Sequence, residues 1–414
     1  MTEPSRADRA LLGVLLLAAA IRVTYWLSKW NQALLLNDSL YYSIQARQLA
    51  HGQFFRELFV DQPGAEHGPL SSTLMAPLSW GADIVRWQRL VTVASGIALV
   101  WMIGRLGNRL GGRQVGLLAA GIAAVYPNLW LSDGLVMSES VSMLSLSAVL
   151  WFALDASERE GRRPLVALGI ALGLATLARS ELLLLVPLVL CWLGSCQRRR
   201  GRRALATVAP VAVVAVLVLL PWVGYNVARF ERPVLLTTNE GSTWLGANCD
   251  ESYNGSGTGG WNIFCVIEDP AISSNEDPSV RSARRRSLAF DYARSHVGDV
   301  PRVVLARLGR TFDVYGVHDL IRGDIGEERP RLWAWAGVPS FWMLALAAPF
   351  GARRLPRRER WLLLLPVVLV LFTTVLFYGG HRIRSSAEPS LVLLAAVATA
   401  PLANGLLQRV RGTR

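Results

Sequence analysis

Apolar runs close to the length of a bilayer crossing recur along this chain, at 204–223 and 361–377 among others. Coiled as a helix, about 20 such residues cross the ~30 Å of a bilayer's hydrocarbon. A water-soluble α/β protein interrupts its apolar stretches sooner. The pattern predicts an all-α polytopic membrane protein with about ten transmembrane helices. They fall at 11–27, 82–103, 115–131, 135–154, 164–177, 182–196, 204–223, 332–350, 361–377 and 388–407. The chain has 414 residues and is 52% hydrophobic, enough apolar surface for all of them.

The net charge of +13 would suit a nucleic-acid partner, but its placement argues against one. The arginines cluster in alternate connections: Arg105, Arg109 and Arg113; Arg159, Arg162 and Arg163; Arg198 to Arg203; Arg353 to Arg360. Short cytoplasmic loops retain cationic residues in this way. Read by that rule, both termini are cytoplasmic and the remaining connections face outward. Arg6 and Arg9 precede the first apolar run, which reads as a retained signal anchor because no small-residue cleavage site follows. Lys29 is the only lysine.

Three regions follow: an N-terminal transmembrane module (1–224) holding a long first external loop (28–81), an external loop or cap (225–331), and C-terminal transmembrane helices (332–414). In the first loop, Tyr41 to Ala50 has the spacing of an amphipathic interfacial helix, and Pro63, Pro69 and Pro77 break the chain after it. The cap has a Gly/Asn-rich front half, and its back half, 279–315, reads as one or two Arg-rich amphipathic helices. Cys191 and Cys196 fall at the inner end of a helix, where thiols stay reduced. Cys249 and Cys265 lie in the outer loop, where a disulfide is allowed. Metal binding is the rival reading there, and no His lies nearby.

The unusual polar residues share the outer side. Asp38 stands in Asn37-Asp38-Ser39-Leu40-Tyr41-Tyr42, with His67 later in the same loop. Asp133 and Glu139 flank the outer end of one helix, Arg179 and Glu181 form the next outer turn, and His381, Arg382 and Arg384 precede the last helix. Charges beside membrane helices are costly in lipid and tend to face a cavity. A carboxylate can take a proton from a hydroxyl, and guanidinium groups grip phosphate. Together they suit group transfer from a phosphate-linked lipid. Plainer readings stand beside these. Asp38 could cap the following helix, Glu139 could pair with Arg179, and Arg382 and Arg384 could snorkel to the interface.

At these residues the chain resembles the GT-C superfamily of polyprenyl-phosphate-sugar-dependent glycosyltransferases, in the branch of protein O-mannosyltransferases and aminoarabinose transferases. The resemblance rests on an ordered set: Asp38 with Tyr41-Tyr42; His67-Gly68-Pro69-Leu70; Ser138-Glu139; Arg179-Ser180-Glu181; Pro221-Trp222 with Asn226; and Arg382, Arg384 and Pro389. Two departures stand out. Ser39 replaces a second acidic residue, and Gly68 replaces a proline. The large soluble C-terminal domain of some relatives is not seen in the sequence, which leaves acceptor recognition to the external loops.

The resemblance implies an inverting transfer at the outer face of the cell membrane. Asp38 would deprotonate an acceptor hydroxyl on a glycan, lipid or protein. Arg382 and Arg384, with Arg179, would receive the lipid phosphate. His381, Tyr41, Tyr42, His67, Glu139 and Glu181 would complete the substrate site. A divalent metal held by Asp38, His67 or Glu139 is compatible with the sequence but not required by it. The alternative is a transporter or flippase of a lipid-linked sugar or phospholipid. That class favours repeat symmetry and charge near the midplane, and the sequence has neither. A catalytically silent scaffold of the same fold is a third reading, against which Asp38 itself argues.

Overall fold

The computed structural model describes residues 6–269 and 276–412. The extreme ends, expected on the inner side, lie outside the described residues. The protein is all-helical, with no strand among the described residues; its one ladder pairing is an isolated bridge between Arg56 and Pro63. Eight helices among the described residues are long and apolar enough to cross a membrane.

Two features reconcile eight with the ten segments expected. The helix Ile84–Val125 runs for 42 residues but is broken at Gly111 and Gly112. Gly112 has φ 80° and ψ −178°, a conformation open essentially to glycine alone. The two arms fold back on each other, Gly104 against Ala120 and Gly107 against Ala119. Small residues permit such close approach where no hydrophobic force drives helices together. The segments 82–103 and 115–131 are thus the arms of one hairpin. The other feature is Arg162–Ala178, which at 17 residues is a short helix packed between Glu139–Glu158 and Ala204–Val227.

The first helix, Arg6–Ser28, packs on the hairpin, which packs in turn on Glu139–Glu158 and on the last helix, Glu388–Gly412. That last helix runs through the middle of the bundle, with Val392, Leu393, Leu394, Ala395 and Ala396 essentially sealed from the surface. Arg331–Arg354 lies against it, and Arg357–Leu376 bridges to Leu185–Arg199. The arginine clusters meet at one end. There Arg109 pairs with Asp155 (2.8 Å) and Glu158 (2.6 Å), and Arg358 with Glu158 (2.7 Å).

The opposite end carries the cap. Its helices include Glu240–Ala247, Pro278–Ser295, Val300–Thr311 and Val317–Gly326, and Cys249 and Cys265 are joined in a disulfide. Arg307 fastens the cap to the bundle, donating to the carbonyls of Val375 and Ala247. Pro278–Ser295 and Val300–Thr311 are the Arg-rich helices expected in the back half.

Candidate functional site

Asp38 is the second residue of a capping turn, not the cap. The Asn37 side chain accepts from the Ser39 amide at 2.8 Å, which leaves the Asp38 carboxylate, at the first helical position, free to turn away from the helix. It reaches Arg382, with Oδ2 2.6 Å from Nη1, and its Oδ1 lies 3.5 Å from His67 Nε2. His67 is held by rings: Tyr42 stacks on it and Tyr41 meets it edge-on. The following Gly68 opens the helix Pro69–Met75, and a Cβ at Gly68 would stand 2.4 Å from the Leu177 carbonyl oxygen. Proline carries a Cβ too, so it would meet the same carbonyl oxygen in this packing.

Arg382 is the hub. Besides Asp38 it donates from Nε to Glu139 (2.7 Å) and lies 3.3 Å from Glu327. Glu139, fully buried, also receives Arg179 at 3.0 Å, and Arg179 pairs in turn with Glu181. The Glu139–Arg179 pairing weighed from the sequence therefore exists, but as part of a network that also holds Arg382. Burial favours the neutral form of Asp38, but the Arg382 guanidinium and His67 outweigh it and hold the carboxyl well below the usual carboxylate range. His67 is shifted the other way: burial disfavours its cation, Asp38 favours it, and the ring titrates above its ordinary value.

These groups open on a cavity of about 690 Å³ between the bundle and the cap. Asp38, Tyr42, His67, Arg179, Glu181 and Arg382 line it. Tyr41 and Glu139 stand behind the wall, Tyr41 at 3% exposure against His67 and Glu139 beneath the two arginines. His381 and Arg384 are not brought to it. The two nitrogens of His381 face Asp324 (2.7 Å) and Asp313 (2.6 Å), and Arg384 is engaged by Asp313 (2.6 Å) and Glu388 (2.8 Å). Their partners lie on the cap and the last helix, so these two residues brace the turn that carries Arg382.

Several participants were not singled out in the sequence. Glu66 lines the cavity beside His67. Glu327 and Arg329, from the end of the cap, extend the network to Asp324. Glu328 makes a fully buried pair with Arg89 at 2.9 Å. Asp133 is held by Arg22 at 2.6 Å in an equally buried pair away from the cavity, a structural role. The run Glu327-Glu328-Arg329 immediately before an apolar helix was an available signal, and so was Glu66 beside His67. Arg22 and Arg89, charges within apolar stretches of helix, signalled a partner without naming it. For a divalent ion, Asp38 and His67 are close enough to share one, whereas Glu139 Oε1 is committed to Arg179 and Arg382.

Residues 82–225 match the family model described as dolichyl-phosphate-mannose-protein mannosyltransferase. No curated protein matches the sequence. Among solved structures, the chain is similar to the archaeal oligosaccharyltransferase AglB from Archaeoglobus fulgidus in complex with an inhibitory peptide and a dolichol-phosphate. The identity is 15% and the TM-score 0.59, over 98% of this chain and 52% of that one. A structure of the Archaeoglobus fulgidus oligosaccharyltransferase with Zn and sulfate gives 16% and 0.60, over 96% and 50%. The chain spans about half the length of these relatives. ArnT from Cupriavidus metallidurans bound to undecaprenyl phosphate gives 16% and 0.47, over 94% and 78%. The resemblance to the GT-C glycosyltransferases is borne out by the family match and by the fold shared with the oligosaccharyltransferase.

Proposed function

We propose that this multi-pass membrane protein of GT-C fold transfers a sugar from a polyprenyl-phosphate donor to an acceptor hydroxyl, at the end of the bundle that faces away from the cytoplasm. One observation carries the reading: Asp38, His67, Arg179 and Arg382, from four separate stretches of chain, meet at one cavity beneath the cap. The family match and the names of the similar structures, a dolichol-phosphate complex among them, point to a lipid phosphate donor. The positive-inside rule assigns the arginine-rich end to the cytoplasm.

The lipid phosphate lies toward Arg382 and Arg179, the two of the cavity-lining guanidinium groups that meet Glu139. The acceptor oxygen attacks the anomeric carbon from the face opposite the phosphate, so a single displacement inverts that carbon. Charge developing on the departing phosphate is met by Arg382, already held in place by Glu139. Sequence reasoning gives Asp38 the proton of the acceptor hydroxyl. The cap, residues 225–331, closes the acceptor side. A divalent ion shared by Asp38 and His67 would add Lewis-acid polarisation of the phosphate.

The test is transfer from a panel of labelled polyprenyl-phosphate sugars to membrane acceptors by the purified protein, with Asp38→Asn alongside. Transfer by the wild-type chain and a loss of at least ~10²-fold in the variant are expected. Absence of transfer from every donor, with lipid-linked sugar instead moved across proteoliposome membranes, would put the protein in the transporter class.

A further inference from the structure

Four arginines line the cavity among the described residues, and the mechanism above uses two of them. The other two, Arg232 and Arg286, belong to the cap. Arg232 follows the helix Ala204–Val227, and its backbone N–H donates to Ser279 Oγ at 2.9 Å, which seats it at the start of Pro278–Ser295. Arg286 stands on that helix. Ser279, Ser282, Ala283 and Arg286 all line the cavity, and their spacing puts them on one helix face. Seven residues of helix span about 10 Å. The cap wall therefore carries an arginine near each end of this face, with nothing larger than serine between them on the helix.

The carboxylates of the cavity do not account for these two cations. Asp38 and Glu181 answer to Arg382 and Arg179, and Glu66 lies near Arg281 and Arg285. Arg232 is exposed, and its side chain has no ion pair and no hydrogen bond among the described residues. Arg286 pairs with Glu240 at 2.9 Å, with side chains 41% and 44% exposed. So exposed a pair contributes little in water, and Arg286 can exchange Glu240 for an anion that enters the cavity.

We propose, building on the glycosyltransferase reading, that the acceptor carries a phosphate or carboxylate group near the hydroxyl that receives the sugar, and that Arg232 and Arg286 hold this anion against the cap. Guanidinium groups grip either group through paired N–H donors. The donor does not compete for them. Its single phosphate is taken by Arg382 and Arg179, which Glu139 joins on the bundle side. Its lipid chain belongs with Leu183, Leu184 and Phe377, the apolar lining contributed by the membrane helices. The cap wall is left to the acceptor. Positive charge there draws an anionic acceptor in and sets it apart from neutral molecules bearing the same hydroxyl. The two cap arginines determine specificity and touch none of the reacting atoms.

The experiment uses the purified chain, a labelled polyprenyl-phosphate sugar that it transfers, and a membrane acceptor fraction. The labelled product, freed of donor, should bind an anion exchanger at neutral pH. Cold aqueous hydrogen fluoride, which cleaves phosphate esters, abolishes that binding if the anion is a phosphate; amidation with ethanolamine abolishes it if the anion is a carboxylate. A product that passes through uncharged, or whose binding survives both treatments, overturns the proposal. In steady-state kinetics, Arg232→Gln and Arg286→Gln should each raise the apparent KM for the acceptor about tenfold. Neither should change kcat or the donor KM comparably, the pattern of lost binding rather than lost chemistry. Arg232→Lys keeps the charge and should keep most of the affinity. A wild-type acceptor KM in the double glutamine variant overturns the proposal, and so does a lysine variant as impaired as the glutamine one. A wild-type chain that transfers nothing refutes the glycosyltransferase reading and this one with it. A wild-type chain that makes a neutral product refutes this one alone.

Discussion

Arg382 answers to three carboxylates, on three different segments, and among the described residues no other at the cavity has that reach. A planar fork can address Asp38 and Glu139 from different nitrogens at once; an ammonium group cannot. Arg382→Lys is therefore not conservative here. It should lower kcat by ~10²-fold in steady-state kinetics with the lipid donor, and kinetics equal to wild type would remove Arg382 from the phosphate site. Asp38 follows from the same contact. Its folded pKa is depressed, so its contribution to stability is complete above its unfolded value of 3.8 and is lost only as pH falls through the lower folded value. Asp38 supplies no titration near neutral pH. The sequence singled out Asp38, His67, Arg179 and Arg382 correctly as neighbours in space, because a charge beside an apolar helix needs a cavity or a partner. It could not separate Arg382 from Arg384, two residues apart. The turn of chain between them sends one side chain to the cavity and the other to Asp313 and Glu388.

At the scale of elements, the first external loop depends on how closely it can approach the bundle. Gly68 sits against the Leu177 carbonyl, at the end of Arg162–Ala178. Gly68→Ala places a methyl group where backbone already stands. The loop must withdraw, carrying His67 away from Asp38. We expect activity to fall at least tenfold, a misplacement of about an ångström being enough for that, while the thermal melting point changes by only a few degrees. Activity equal to wild type would mean that the loop position does not matter to the reaction. The hairpin of Ile84–Val125 shows what periodicity leaves open. Two apolar runs separated by an Arg-rich, Gly-containing stretch read as two spans joined by a turn, and that is the outcome. The tightness of the turn, with Gly104 and Gly107 laid on the facing arm, depends on the partner surface and is not written in either run alone.

For the whole molecule, the arginine-rich end and the cavity end lie at opposite ends of the helices, and the proposed orientation can be measured. Single cysteines introduced at Ser256, exposed in the cap, and at Arg113, exposed at the hairpin turn, should behave oppositely toward a membrane-impermeant thiol reagent on intact cells. Ser256→Cys should label from outside, and Arg113→Cys only after the membrane is opened. The reverse pattern would turn the protein over and place the cavity in the cytoplasm.

The membrane class, the helical architecture and the gathering of polar residues at the end opposite the arginine clusters follow from the sequence by itself. Apolar length and arginine placement are local properties, set against a bilayer that is the same for every chain. The site's division of labour belongs to the tertiary structure. Which arginine meets the cavity, why Gly68 has no room for a side chain, and how Asp38 is locked to Arg382 all depend on contacts between segments far apart in the chain. The cap residues Glu327 and Arg329 complete that network only once the cap has folded down onto the bundle. Pair electrostatics act over a few ångströms, and no spacing along the sequence encodes those distances.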